Sequence, residues 1–99
     1  MGGDREIYKE VLAVFLQDTP QLLDDLTFAY KEKNLVLLKR LSHSVKSSSR
    51  TIGGLNMGEV ASRLEKELQK NTPANVQALI QQLKNEFALL IETLQRENV

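Results

Sequence analysis

Apolar side chains recur at steps of three and four along nearly the whole chain, the spacing that gathers them on one face of an α-helix. No stretch shows the strict apolar–polar alternation of a half-buried strand, so the pattern predicts an all-α fold. Ile7, Tyr8, Val11, Val14 and Phe15 mark a short amphipathic first helix over about 4–17. Asp18-Thr19-Pro20 ends it, with Thr19 placed to cap and Pro20 to open a second helix over about 19–33, which buries Leu22, Leu23, Leu26 and Ala29 or Tyr30. Asn34 caps a third helix over about 34–52, and Gly53-Gly54 supplies the left-handed turn that stops it. Asn56 followed by Glu59 forms a capping box for a fourth helix over about 56–70, with Met57, Val60, Ala61, Leu64 and Leu68 inside. Thr72-Pro73 repeats the cap-plus-proline signal. The fifth helix, over about 73–97, carries Val76, Leu79, Ile80, Leu83, Phe87, Leu90, Ile91 and Leu94. Short connections make consecutive helices antiparallel neighbours, so the last four form an up-and-down four-helix bundle with the short N-terminal helix packed across one end.

Composition narrows what such a bundle can do. At 99 residues and 41% apolar content the chain fits one domain with one core, 1–99. It has no cysteine, which excludes disulfides and thiolate metal sites, and a single histidine, so no metal or cofactor site is expected on it. No apolar run approaches the roughly 18 residues that span a bilayer, and the start lacks a signal-peptide pattern. The expected location is the cytoplasm, or the cytoplasmic part of a membrane-bound protein. Met1-Gly2-Gly3 reads as a start codon with an appended glycine pair, as in a domain excised from a larger protein, and Glu6 argues against a myristoyl anchor.

Thirteen acids balance thirteen bases, but unevenly. Residues 1–30 hold two bases and six acids, residues 31–50 six bases and one acid, and residues 51–99 five bases and six acids. The basic block contains the only histidine, which points to an acidic partner or a phosphorylated state; bulk nucleic-acid binding would call for a basic domain throughout.

On a wheel at ~100° per residue, the third helix places Leu37, Leu38, Leu41, Val45, Ser48 and Ile52 on one face. Val36, Lys39, Arg40, His43, Lys46, Ser47 and Arg50 fall on the other, which puts His43 in solvent. A lone surface histidine is ordinarily inert, and a cluster of lysines and arginines more often solubilises a helix than serves chemistry. Here four cations lie within two turns of the ring, Lys46 at the i+3 position, and no carboxylate shares their face of that helix. Cations nearby favour a neutral imidazole, the form a phosphoryl acceptor must offer, and a phosphoryl group once attached would find Lys46 in reach. Val36 adds an exposed apolar contact for a docking partner.

The run Leu41-Ser42-His43-Ser44-Val45-Lys46-Ser47-Ser48-Ser49-Arg50-Thr51-Ile52-Gly53-Gly54-Leu55-Asn56-Met57 resembles the signature of bacterial histidine phosphotransfer domains, A-H-x-L-K-G-S-A/S-x-x-[LIV]-G-A-x-x-L. Ala61-Ser62-Arg63-Leu64-Glu65 stands where that family has small-x-x-L-E. Upstream, Phe15-Leu16-Gln17-Asp18-Thr19-Pro20-Gln21-Leu22-Leu23-Asp24-Asp25-Leu26 is similar to the F-L-x-D-x-P-x-x-L-x-x-L stretch that precedes the family's histidine helix. The resemblance implies a phosphorelay intermediate without kinase or ATPase activity of its own. In that reading His43 takes a phosphoryl group from a receiver-domain aspartate and passes it to another, while Lys46 steadies its oxygens. Val36, Lys39, Arg40, Ser47 and Arg50 would meet the receiver, Ser48 and Ser49 would let a neighbouring helix approach, and Gly53-Gly54 would close the helix. Mg2+ and the acidic pocket would come with the receiver. Ser47 departs from the family's usual glycine after the lysine, Ser42 from its alanine and Asn34 from its aspartate.

Three other readings compete. A helical adaptor would use the basic face to bind an acidic partner and never be phosphorylated. The dimerisation domain of a sensor kinase also carries a histidine on a helix, but with an acidic neighbour, and here the neighbours are Ser42 and Ser44. An independent enzyme lacks a nucleophile or an evident carboxylate to orient the histidine. With its apolar stripes turned inward, the chain is expected to be a monomer.

Overall fold

The computed structural model describes residues 2–97 and is helical, with no strand among them. The described residues form four helices rather than five: α1 (Gly2–Lys31), α2 (Leu35–Thr51), α3 (Leu55–Leu68) and α4 (Val76–Glu97). Each packs against two others, α1 on α2, α2 on α3, α3 on α4 and α4 back on α1, the closed ring of a helical bundle. One core runs along its axis, with Leu26, Ala29, Ala61, Leu64 and Leu83 fully buried and Phe15 meeting Phe87 edge-on at 5.9 Å between ring centres.

The separate helix over 4–17 is absent, because Pro20 lies inside α1 and Thr19 is buried within it rather than capping anything. A proline in a helix interior removes one hydrogen bond and costs about 3 kcal/mol. The cost is offset by phase. Leu12, Phe15, Leu16, Thr19, Leu22, Leu23, Leu26 and Ala29 form one stripe that crosses Pro20 without a slip, while the proline ring itself faces solvent. A break at Pro20 would turn the two halves of that stripe apart. Choosing this stripe leaves Ile7, Tyr8, Val11 and Val14 exposed. Tyr8 is nevertheless anchored, its hydroxyl donating to the Ile52 carbonyl at the end of α2 at 3.0 Å.

The turns decide the remaining boundaries. Asn34 caps α2 as expected, its side-chain oxygen accepting from the Leu37 amide at 3.1 Å. At the other end Gly53, at φ 78°, donates to the Arg50 carbonyl and Gly54 to that of Ser49, the paired bonds of a Schellman motif. That reversal is so tight that Gly54 itself occupies the N-cap of α3, and Asn56 lies inside the helix; no capping box forms, and Glu59 pairs with Arg63 instead. The last helix begins at Val76 and not at Pro73. Segment 69–75 is held as a loop by Glu67, whose carboxylate accepts from the Ala74 amide at 2.8 Å and pairs with Lys70. Those two partners hold the Glu67 carboxyl below its ordinary range.

Candidate functional site

The first requirement for surface chemistry on α2 is that it sit close and rigid against its neighbours. Its core face is Leu38, Leu41, Ser42, Val45, Ser49 and Ile52. Leu37 and Ser48, expected inside, are only half-buried, so the inward face is rotated toward the serine side. Apolar content alone could not reveal this, because the positions nearest α3 must be small rather than greasy. A Cβ built on Gly58 of α3 would lie 3.7 Å from the Ser49 Cβ and 3.4 Å from the Arg50 Cγ, so the α2–α3 contact is made between small residues. Ser42 and Ser49 keep their hydroxyls satisfied in this dry contact by donating to the Leu38 and Val45 carbonyls, each at 2.7 Å.

With that face inside, His43 emerges on the bundle surface, its side chain 64% exposed. Val36, Lys39, Arg40, Ser47 and Arg50 are exposed on the same helix, as expected, and Val36 at 75% is among the most exposed apolar residues described. Lys46 differs. It is tucked toward α3, 18% exposed, with its ammonium 3.0 Å from the Glu65 Oε1.

Glu65 also reaches the imidazole, with its Oε2 3.3 Å from the His43 Nδ1. The expectation that no carboxylate orients the histidine is therefore corrected: one does, and it comes from α3. Helical periodicity within α2 could not find it, but the turn could have. Glu65 stands as many residues after Gly54 as His43 stands before it, and in an antiparallel helix hairpin such positions meet. Partial desolvation pushes the Glu65 carboxyl up, yet hydrogen bonds and charge from Lys46 and His43 together outweigh it and hold the group below the usual carboxylate range. An anionic Glu65 is an acceptor suited to Nδ1–H, and the tautomer that donates there carries its lone pair on Nε2. The arrangement offers an oriented imidazole at a surface open to another protein.

A sequence model of the Hpt domain family matches residues 10–96. The chain belongs to the Hpt domain family. Hpt domains are histidine phosphocarriers of two-component phosphorelays, and receiver domains are their partners. No curated protein and no solved structure matches the chain.

Around the site of this Hpt domain, a shallow groove between α1 and α2 is lined by Val11, Val14 and Phe15 on one side and Ser47, Thr51 and Ile52 on the other. It brings Val11 and Val14, two of the apolar residues that α1 leaves uncovered, beside the histidine face. Among the described residues no set of three histidine, cysteine, aspartate or glutamate side chains is placed to hold a metal. The one carboxylate in contact with the imidazole is shared between His43 and Lys46. Among the described residues no helix is long and apolar enough to cross a membrane.

Proposed function

We propose that His43 is the phospho-acceptor of this Hpt domain, taking a phosphoryl group from the aspartyl phosphate of one receiver domain and delivering it to the aspartate of another. The observation that carries the reading is the exposed imidazole whose Nδ1 is engaged by Glu65, because a nucleophile needs its other nitrogen unprotonated and reachable. In the forward step Nε2 attacks phosphorus, the Nε2–P bond forms, and the P–O bond to the aspartyl oxygen breaks, that oxygen leaving as carboxylate with the electron pair. The Nδ1 proton stays on the ring, and Glu65 stabilises the positive charge that the ring gains. In the reverse step the Nε2–P bond breaks and its electron pair returns to Nε2, so the same side chains serve acceptance and donation.

Lys46 neutralises Glu65 and keeps the local potential positive for the phosphoryl group. Val36, Lys39, Arg40, Ser47 and Arg50, with the groove on α1, form the receiver-docking surface. Mg2+ and the remaining charge needed for phosphoryl transfer come with the receiver, in the cytoplasm. A monomer suffices, since His43, Lys46 and Glu65 all come from one chain. The domain has no kinase or ATPase activity of its own.

The test is to incubate the protein with a phosphorylated receiver and Mg2+ and measure acid-labile, alkali-stable phosphate on wild type and His43→Gln. Label on the wild type alone is expected. Binding of several receivers without label would instead favour the non-phosphorylated adaptor, in which the basic face only recruits an acidic partner.

A further inference from the structure

Lys46 is the cation nearest in sequence to the acceptor on its C-terminal side, yet it lies along the wrong edge of the ring to be the first to meet a phosphoryl group. The His43 Nδ1 faces Glu65, and Lys46 is bound to the same carboxylate, so both stand on the α3 flank of α2. The two nitrogens of an imidazole diverge across the ring. A group bonded to Nε2 therefore projects away from Glu65 and Lys46, toward solvent and the α1 flank.

Two residues of α2 border that flank within one turn of His43. On a wheel at ~100° per residue, Lys46 falls ~60° to the α3 side of His43, whereas Arg40 and Ser47 fall ~60° and ~40° to the opposite side. The groove against α1 confirms the direction independently, since Ser47 and Thr51 line it. Arg40 is exposed and enters no ion pair among the described residues, whose ion pairs involve Lys46, Arg63, Lys70, Arg96 and His43. Ser47, together with the half-buried Ser44, stands apart from the other hydroxyl side chains of the helix, and of the two Ser47 is the exposed one. Ser42, Ser48, Ser49 and Thr51 each donate their hydroxyl to the carbonyl four residues back, while among the described residues the Ser47 hydroxyl makes no such bond and is exposed. A guanidinium fork and a rotatable hydroxyl are donors suited to the oxygens of a phosphoryl dianion.

We infer that Arg40 and Ser47 are phosphoryl-holding residues: once Nε2–P is formed, they donate to the phosphoryl oxygens on the α1 flank, while Lys46 remains the counter-ion of Glu65. This rests on His43 being the acceptor. The step gains no bond beyond the transfer already written; the two side chains only add hydrogen bonds to its product. Both residues thus stabilise the phosphorylated state of the free domain, a role separate from contact with a receiver.

That separation makes the test. The end-point partition of phosphate between a receiver and the domain, at dilutions where both are mostly unbound, depends on the free phosphorylated and unphosphorylated species and not on docking. We would measure partition and approach rate for wild type, Arg40→Gln, Arg40→Lys, Ser47→Ala and, as a docking control, Val36→Ala, with thermal unfolding of each to confirm the fold. Arg40→Gln is expected to shift the partition toward the receiver about fivefold and Ser47→Ala about twofold, with Arg40→Lys in between wild type and Arg40→Gln. Val36→Ala should slow the approach to an unchanged end point. An unchanged partition in both Arg40→Gln and Ser47→Ala, with slower approach alone, would make them docking residues and overturn the inference. Absence of label on wild type would overturn the phosphocarrier reading beneath it.

Discussion

Glu65 carries more of the site than any residue other than His43, because one carboxylate contacts the His43 imidazole, fixes the position of Lys46 and ties α2 to α3. Its depressed pKa makes it a stability contributor with a defined pH window. The folded-state value lies below the ordinary 4.5, so the contribution is complete above that pH and is lost as pH falls through the lower folded value. Glutamine at this position keeps an acceptor for Nδ1–H but does not titrate. In denaturant titrations from pH 6 to pH 3, Glu65→Gln is expected to lose less stability on acidification than the wild type; parallel curves for the two proteins would show that the pairs contribute nothing to folding. Substitution by alanine at Ser42 or Ser49 would address packing and not chemistry, since both hydroxyls are closed onto their own helix.

Among the elements, α1 is where local signals and tertiary packing disagree most sharply. Asp18-Thr19-Pro20 has the composition of a helix boundary, and the helix runs through it because the inward stripe on either side stays in register. Pro20→Ala discriminates between the two arrangements. In an interior position alanine restores a hydrogen bond and relieves a clash, so unfolding should become harder by about 1–3 kcal/mol. Had Pro20 opened a second helix, its first turn would tolerate proline and the change would be close to neutral. Thermal or urea unfolding with unchanged helical circular dichroism decides the point. The same continuity gives the domain its function-side geometry. By keeping Leu12, Phe15 and Leu16 toward the core, α1 turns Val11 and Val14 toward the groove beside Ser47.

For the molecule as a whole, what counts is how charge is spread over the bundle. The six acids of the N-terminal third lie on α1, and the six bases of residues 31–50 are concentrated on and just before α2, so a neutral protein presents a basic site helix. A receiver with an acidic pocket should be steered to it. The second-order rate constant of transfer is expected to fall as salt rises from 50 to 500 mM, with little change in the end-point partition. A rate insensitive to salt would mean that docking is governed by the apolar groove and Val36 alone.

The sequence by itself determined the helical class, the inward stripes of α3 and α4, the Asn34 cap, the Gly53-Gly54 reversal and the exposure of His43, since each follows from periodicity or from backbone preferences local to a few residues. It also carried the family resemblance, which the match over residues 10–96 bears out. What only the tertiary structure decided is where two helices had to agree. Pro20 is tolerated because a neighbour buries both halves of α1 at once, serines and not leucines face α3 because the axes come close at Gly58, and Glu65 meets His43 because the hairpin brings residues 22 apart together. Local preference fixes an element's type and its punctuation, whereas register between elements is set by long-range packing that no single stretch of sequence contains.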